Sequence, residues 1–374
     1  MRVVVAPDKF KGSLTAAQAA AALAAGLRRA RPDLEVAQVP VADGGDGTVA
    51  AAVAAGFMPV TVTVTGPLGD SVRAVYGMRD GTAVIELASA AGLRCLAGPG
   101  PTARSSLAAS TYGAGQLVAA ALDRGATTIV LGIGGSASTD GGAGLVQALG
   151  VTLAAGQGAA PVRGGGRLGE LTEVGLGGLD RRIRDVRVLV ASDVDNPLLG
   201  PQGAAAVFGP QKGAGPEQVR VLEQGLARWA ELTTGATGKD VAMAPGAGAA
   251  GGTGFAALAY LGATLVPGAS LVLDLIGFEA ALDGAGLVVT GEGSLDRQTL
   301  RGKAPLGVAR AASRRAVPVV AVAGQVRLTP AELAGAGFSA AYALADSEPD
   351  LAASMARAPG LLEAAGARIA SGLA

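Results

Sequence analysis

The chain has 374 residues, which is long for a single hydrophobic core and predicts two domains. Half of the residues are apolar and 16% are charged, so a largely disordered chain is excluded. Net charge is zero and aromatic residues make up 3%, which argues against nucleic acid and anionic membrane as partners.

Two scarce residue types narrow the chemistry. The chain has no histidine, which excludes imidazole catalysis, Ser-His-Asp hydrolysis and histidine-ligated zinc. Only five of the 30 basic residues are lysines, and most of them stand beside glycines in loop-like contexts. Cys95 is the only cysteine, so no intrachain disulfide can form and a cytoplasmic location is predicted.

The N-terminal segments alternate between strand and helix. A β-branched run at 2–6 predicts a strand, and Thr15 with Gln18 predicts a capping box for a helix that ends near Ala30. A second strand near 34–39 and an Ala-rich helix ending near Ala55 follow. This order is typical of a parallel sheet.

The middle of the chain has another pattern. Alternating apolar and polar residues at 59–87, with a turn at 66–70, predict antiparallel strands. The later predicted elements are strands at 127–131, 186–191, 286–290 and 317–322, and helices at 216–234, 253–262, 304–315 and 350–371.

The first and last segments share one style, and this similarity predicts a discontinuous domain. We expect an α/β protein of two domains, in which a larger mixed α/β domain is inserted into a Rossmann- or flavodoxin-like parallel-sheet domain. The predicted ranges are 1–64 plus 285–374 for the parallel-sheet domain and 65–284 for the insertion.

Two loops of the parallel-sheet domain carry lysines and acids. APDKFKGSL at 6–14 places Lys9, Lys11 and Ser13 after a strand, which favours an anion site over a solvated turn. In VADGGDGT at 41–48, Asp43 and Asp46 could bind magnesium or substrate hydroxyls, or Asp46 could only cap a helix.

GIGGSASTDGG at 132–142 matches a relaxed dinucleotide fingerprint, Gly-x-Gly-x-x-Ala. No acidic residue stands about 20 positions later to hold a ribose. The hydroxyls of Ser136, Ser138 and Thr139 instead suit phosphate oxygens at a helix start.

The remaining motifs also follow strands or contain many glycines. ASDVDNP places Asp193 and Asp195 after a strand, where one could be a base and the other a metal ligand, or the pair could only form an Asx-turn. Lys212 lies in FGPQKGA at 208–214, and a second possible glycine cradle is PGAGAAGG at 245–252. Glu292, Asp296 and Lys303 lie in TGEGSLDRQTLRGKAP at 290–305. The chain has no P-loop motif and no protein-kinase signature set.

In this order, these motifs resemble six sequence blocks of the bacterial-type glycerate kinase family (type 1), in which ASDVDNP and FGPQKGA belong to one block. The resemblance runs from residue 6 to about 305. It implies phosphorylation of D-glycerate with ATP and Mg²⁺, and 2-phosphoglycerate as the product rather than 3-phosphoglycerate. Four positions depart from the family pattern: Lys9 replaces a common serine, Ser138-Thr139 a common Thr-Asn, and Ser294 a frequent basic residue.

For this reaction we assign roles from the chemistry of the side chains. Lys9 or Lys11 would bind the carboxylate of glycerate, with Ser13 and Asp43 near its hydroxyls. Without histidine, Asp193 is the preferred general base and Asp195 the second choice. Lys212 would offset the charge on the transferred group. The predicted phosphate-binding residues are Gly134, Gly135, Ser136, Ser138, Gly246, Gly248 and Gly251, and the predicted Mg²⁺ ligands are Glu292 and Asp296.

Two other classes of function are weighed against this one. A nicotinamide-dependent hydroxy-acid dehydrogenase is supported by the relaxed glycine fingerprints, whereas the missing ribose acid and histidine base argue against it. A nucleotide-binding regulator would bind ATP without any reaction. The sequence leaves the oligomeric state open, including a homo-oligomer.

Overall fold

The computed structural model describes residues 1–373 except 97, 99 and 157–161. It divides into two compact units, each of which is described by itself. Unit 1 comprises Met1–Gly56 and Pro267–Ala374, and unit 2 comprises Phe57–Val266.

The strands of the described residues are β1 (Arg2–Pro7), β2 (Glu35–Gln38), β3 (Met58–Thr65), β4 (Ser71–Arg79), β5 (Thr82–Glu86), β6 (Thr128–Gly132), β7 (Thr152–Ala155), β8 (Leu171–Gly175), β9 (Arg187–Ala191), β10 (Thr264–Val266), β11 (Ala285–Leu295), β12 (Val319–Val326) and β13 (Ala340–Ala343). The α-helices are α1 (Ala16–Ala30), α2 (Thr48–Ala54), α3 (Ala88–Ala91), α4 (Ala103–Ala108), α5 (Tyr112–Asp123), α6 (Ala143–Ala148), α7 (Ala204–Phe208), α8 (Pro216–Thr237), α9 (Ala249–Tyr260), α10 (Gly268–Leu275), α11 (Phe278–Ala281), α12 (Ala304–Arg314), α13 (Pro330–Gly335), α14 (Leu351–Ala356) and α15 (Ala358–Ser371). Short 3₁₀ helices lie at Leu93–Cys95, Gly165–Glu170, Arg181–Asp185, Pro210–Lys212, Thr299–Arg301 and Leu344–Asp346.

Unit 1 is built on a parallel sheet. Within the described residues its five strands have the order β13-β12-β11-β1-β2, and every neighbouring pair is parallel. Numbered within the unit, this is the order 2-1-3-4-5 of a flavodoxin-like sheet, whose strand order reverses next to β1. The carboxyl ends of β1, β11 and β12 therefore meet at one edge, where such sheets bind ligands.

Successive side chains of β1 point to opposite faces of this sheet, and both faces are buried. Val4 packs in a cluster with α10 and α12, whereas Val3 and Val5 pack against α1 and α15. Thr15 and Gln18 form the predicted capping box at the start of α1. The sequence therefore specifies the helix start locally and the sheet through its apolar runs.

Unit 2 contains a mixed sheet. In the described residues its six strands have the order β10-β9-β6-β5-β4-β3, in which β3, β4 and β5 are antiparallel neighbours and the remaining pairs are parallel. β7 and β8 form a separate antiparallel pair. Trp229 is fully buried, stacks on Tyr260 and donates its indole N–H to the carbonyl of Gly141 at 3.0 Å, which ties α8 to the loop after β6.

The α/β class, the parallel sheet and the antiparallel strands at 59–87 are confirmed, but two details were wrong. β11 continues to Leu295 and β12 to Val326, through the glycines that predicted loops there. These glycines allow β11 and β12 to approach each other closely, since a methyl group on Gly324 would lie 2.6 Å from the carbonyl oxygen of Gly293. The helix predicted at 350–371 is two helices, α14 and α15, which meet at Arg357.

The predicted domain ranges differ from the compact units at both borders. β3 pairs with β4 along its whole length and belongs to unit 2, although the range 1–64 included most of it. α10 packs on α12 in unit 1, although it fell within the predicted insertion. The division into 1–64 plus 285–374 and 65–284 stays a prediction.

Among the described residues, none of the helices has both the length and the apolar character needed to cross a bilayer.

Candidate functional site

The carboxyl edge of the unit 1 sheet carries a group of charged residues. Asp8 follows β1, is 4% exposed and donates its backbone N–H to the carbonyl of Gly291 at 2.8 Å. Lys9 donates its ammonium to the carbonyl of Asp46 at 2.6 Å and lies 3.9 Å from the Asp8 carboxylate. The loop after β1 and the loop after β2 are therefore joined by Lys9.

Asp8 lies in an acidic neighbourhood. Burial raises the pKa of the Asp8 carboxyl to about 7, the ammonium of Lys9 opposes this rise, and the charges of Asp43 and Glu292 add to it. A carboxyl group with this pKa exchanges protons near neutral pH. Asp8 was not among the predicted site residues, although its place directly after the first strand was visible in the sequence.

Glu292 lies within β11 rather than in a loop after it. Its carboxylate accepts the hydroxyl of Thr299 at 2.6 Å and lies 3.5 Å from the ammonium of Lys303. Burial raises the pKa of Glu292, and its contacts with Thr299 and Lys303 oppose the rise. Asp296 accepts the backbone N–H of Gln298 at 2.8 Å in the turn that follows the strand. Both predicted metal ligands therefore stand at the same edge, each with a donor already bound.

Lys11 and Ser13 lie apart from the carboxylates. Both line a cavity of about 190 Å³ at the same edge of the sheet. The Ser13 hydroxyl donates to the carbonyl of Met355 at 3.0 Å. The predicted glycerate-binding group of Lys9, Lys11, Ser13 and Asp43 is thus divided between the acidic group and this cavity.

In unit 2, the loop after β6 has an exposed tip and a buried base. Gly134 and Gly135 form an exposed turn, whereas Ser136 and Ser138 are buried and hydrogen-bonded to each other at 2.9 Å. Only the turn therefore presents its backbone to solvent.

The helix that follows this loop starts after its hydroxyl groups, and phosphate binding by Ser136, Ser138 and Thr139 stays a prediction. α6 begins at Ala143, and the buried carboxylate of Asp140 accepts the N–H of Gly144 at 3.2 Å and that of Thr111, before α5, at 2.8 Å. A carboxylate near two helix starts is favoured by their dipoles. Thr139 keeps a buried hydroxyl with no hydrogen-bond partner among the described residues.

Lys212 is buried against this loop. Its ammonium donates to the carbonyl of Ser138, which is its one hydrogen bond within the described residues. Burial lowers the pKa of Lys212 to about 7, and the negative charge of Asp140 opposes the shift. A methyl group on Gly251 would lie 2.8 Å from the Lys212 ammonium and closer still to the Ser138 carbonyl oxygen. Glycine at 251 is therefore needed for the two segments to pack.

The glycines of 245–252 pack closely on neighbouring backbone. Gly248 donates its N–H to the carbonyl of Asn196 at 2.8 Å, so this donor is already used. A methyl group on Gly246 would lie 2.5 Å from a methyl carbon of Leu265. The spacing that suggested an open phosphate cradle serves close packing here.

Asp193 and Asp195 lie on the loop after β9, and both are exposed. The structure thus gathers Ser138, Lys212 and Gly251 at one place in unit 2, with Gly134 and Gly135 at the tip of the same loop. In the described residues no three acidic or cysteine side chains are arranged to hold a metal ion by themselves.

Comparison with known proteins identifies relatives along nearly the whole chain. The sequence model of the glycerate kinase family matches residues 3–374. A glycerate kinase of Halalkalibacterium halodurans is 46% identical over 98% of this chain and 97% of its own length. A glycerate kinase of Bacillus subtilis is 47% identical over 87% of this chain and 85% of its own length. The Escherichia coli protein called glycerate 2-kinase is 45% identical over 87% of this chain and 86% of its own length.

A solved structure shows the same fold. The crystal structure reported for a glycerate kinase 2 of Salmonella typhimurium LT2 has a TM-score of 0.84 to this chain. The two sequences are 41% identical, and the match covers 99% of this chain and 97% of that one.

Proposed function

Since the chain belongs to the glycerate kinase family, we propose that it transfers the γ-phosphoryl group of ATP to a hydroxyl of D-glycerate. The family match over residues 3–374 carries this conclusion, together with relatives that are 46% and 47% identical. The relative named glycerate 2-kinase supports 2-phosphoglycerate, rather than 3-phosphoglycerate, as the product.

We assign glycerate to the charged edge of unit 1. Lys9 or Lys11 supplies the positive charge that a small carboxylate needs, and Ser13 and Asp43 stand near its hydroxyls. An ammonium is well suited to this role as a point charge on a flexible stem. Lys9 is held by Asp46 and Asp8, so it is partly preorganised. Lys11 is exposed, so its ammonium group is accessible to an anionic substrate in the catalytic site.

We assign the general base to Asp193, with Asp195 as the second choice. The hydroxyl that attacks phosphorus must lose its proton, and an exposed carboxylate on a loop after a strand can reach a bound substrate. Lys212 offsets the charge that spreads over the transferred group. A nearby anion would raise the pKa of this lysine above its value of about 7 and hold it as the ammonium.

We assign the ATP phosphates to the exposed turn of Gly134 and Gly135. Glycine backbone can approach a phosphate closely because it has no Cβ atom. The other predicted phosphate-binding residues, Ser136, Ser138, Gly246, Gly248 and Gly251, are buried, and their assignment to the nucleotide stays a prediction.

Glu292 and Asp296 suit Mg²⁺ through the chemistry of their oxygens. This ion is bound by one or two carboxylates together with substrate phosphates, and it keeps several waters. Because both carboxylates already accept hydrogen bonds, they would hold the ion through water. When bound, Mg²⁺ neutralises charge on the phosphate oxygens.

The partners that follow from this function are glycerate and ATP. The balanced charge of the chain favours neither nucleic acid nor anionic membrane. A cytoplasmic location and the oligomeric state stay predictions.

The test is an assay with glycerate, ATP and Mg²⁺ in which ADP is measured, beside one with glycerate and NAD⁺. We expect ADP and no NADH. NADH formation without ADP would instead support a dehydrogenase, and ATP binding without ADP would support a regulator. Asp193→Asn should cut turnover by at least ~10²-fold, the scale of acid–base assistance. A folded variant with wild-type turnover would remove Asp193 as the base.

A further inference from the structure

The cavity in unit 1 lies where the strand order of the sheet reverses. Its walls include Lys11 and Ser13 from the loop after β1 and Gly293 and Ser294 from the end of β11. β2 lies on one side of β1, and β11 to β13 lie on the other. In open parallel sheets of this order, ligands bind in the crevice at this reversal.

One part of the wall of the cavity is positively charged. Lys11 and Arg327 both line it and are exposed, and neither has an acidic partner among the described residues. Arg327 donates to the side-chain oxygen of Gln325 at 2.6 Å, so its guanidinium is held in place by a neutral group. The one acidic lining residue, Glu348, accepts from Arg357 at 2.7 Å, which offsets its charge. The wall therefore attracts an anion.

Other parts of the wall are apolar and partly open to solvent. Phe10 and Leu344 are 3% and 4% exposed and form the buried part. Leu351 and Met355 of α14 also line the cavity and are 60% and 36% exposed. Methionine packs well against aromatic rings through its polarizable sulfur.

We propose that this cavity binds the purine ring of ATP, with the ring against Leu351 and Met355 and the phosphate end of the nucleotide nearest Arg327. The proposal rests on the kinase function. It adds a site for the purine ring, because the Gly134–Gly135 turn of unit 2 was assigned to the phosphates of ATP only. The ligand class is an aromatic ring joined to an anion, and a purine nucleotide has both parts.

The size and chemistry of the cavity favour the ring over glycerate. Pockets that enclose a whole drug-sized ligand begin at roughly 300 Å³. The volume of about 190 Å³ therefore suits one part of a nucleotide. Glycerate carries a carboxylate and two hydroxyls on three carbons, and it would leave the apolar wall without a partner.

Methionine methyl groups offer a direct probe. The chain has five methionines, so methyl-¹³C-methionine labelling gives five signals, and Met355→Leu identifies one of them. Addition of MgADP or MgATP should shift the Met355 signal upfield, because a purine ring stacked nearby shields it. Met58 and Met243, which are 70% and 69% exposed in unit 2, serve as internal controls and should shift less.

Two further ligands separate the ring from its charge. Tripolyphosphate should leave the Met355 signal nearly unshifted, since it has no ring, and glycerate should do the same. If tripolyphosphate shifts the signal as much as ADP does, the cavity is an anion site and the purine assignment is wrong. If ADP leaves Met355 unshifted at saturation, the proposal is also wrong.

Kinetics give an independent test. Arg327→Gln and Leu351→Asp should each raise KM for ATP about 10-fold or more and leave KM for glycerate within about 2-fold, on the scale of one charged hydrogen bond. Arg315→Gln and Leu68→Asp are matched controls at exposed positions outside the cavity, and both should keep the wild-type KM for ATP. Equal changes in both KM values would contradict the assignment.

The two proposals fail separately. A wild-type protein that makes no phosphoglycerate, yet shows the Met355 shift with ADP, would overturn the kinase function and keep the purine site. A wild-type protein that makes phosphoglycerate, with no Met355 shift and no change in KM for ATP in the variants, would keep the function and overturn the site.

Discussion

The candidate residues of unit 1 and unit 2 come from glycine-rich segments, yet the two regions differ. In unit 1, Lys9, Lys11 and Asp43 remain at least partly exposed. In unit 2, Ser138, Lys212 and Gly251 are buried and packed on one another. A glycine-rich loop therefore indicates that something approaches the backbone closely, and this can be either a ligand or a neighbouring segment of the chain. Charged side chains at the carboxyl end of a strand indicate a ligand more directly.

The largest effect should come from a methyl group at a packing glycine. Gly251→Ala places a methyl group against Ser138 and Lys212 at a residue with φ of 72°, so we expect about 4 kcal/mol of destabilisation or no folding. Gly293→Ala in unit 1 is the matched control, because its nearest neighbour would be 3.4 Å away in ordinary contact. Urea unfolding measures both. Equal stability of the two variants would abolish the distinction between the units.

A smaller effect should come from the buried carboxyl group of unit 1. The pKa of Asp8 is raised to about 7, so the native state holds this proton between pH 4 and 7 while the unfolded state loses it. The free energy of unfolding of the wild type falls over that range, at up to about 1.4 kcal/mol per pH unit. Asp8→Asn removes this loss and should gain stability relative to the wild type as the pH rises from 4 to 8.

The control for Asp8 is an exposed carboxylate with the opposite shift. Asp33 bonds to Arg31, which lowers the pKa of Asp33 to about 2. Asp33→Asn should therefore gain nothing over the wild type as the pH rises. Unfolding in urea at several pH values gives the comparison, and parallel behaviour of the two variants would show that burial of Asp8 has no energetic consequence.

An effect of similar size should be a pH slope in unit 2. Because the pKa of Lys212 is lowered to about 7, the unfolded state binds more protons than the native state between pH 7 and 10. Wild-type stability should rise over this window by at most about 1.4 kcal/mol per pH unit relative to Lys212→Met. Lys239→Met, at an exposed lysine of the same unit, should show no such difference. If the stability difference between the wild type and Lys212→Met does not change with pH, the ammonium of Lys212 is solvated in the native state.

Much of the fold could be predicted from the sequence. The capping box of α1, the apolar runs of β1 and β9 and the alternation of β3 to β5 are local signals. The lengths of β11 and β12 could not be predicted, because their glycines also suit loops and only the close contact of Gly293 with Gly324 explains them.

The site was only partly predictable. Lys9 and Lys11 are scarce residue types in a suggestive loop, but their separation into an acidic group and a cavity depends on the path of the loop after β1. The contribution of Arg327 was hidden, because it is one of many arginines and its place in the cavity follows from the end of β12. Asp140 was passed over because its role, at the starts of two helices, depends on tertiary contacts.

The most direct measurement is an NMR analysis of the products formed from D-glycerate, ATP and Mg²⁺. The account predicts ADP and one phosphate ester in equal amounts, with the phosphorus coupled to the proton on carbon 2 of glycerate. Unchanged glycerate and ATP after incubation with the folded protein, or oxidation of glycerate when NAD⁺ is supplied, would contradict it.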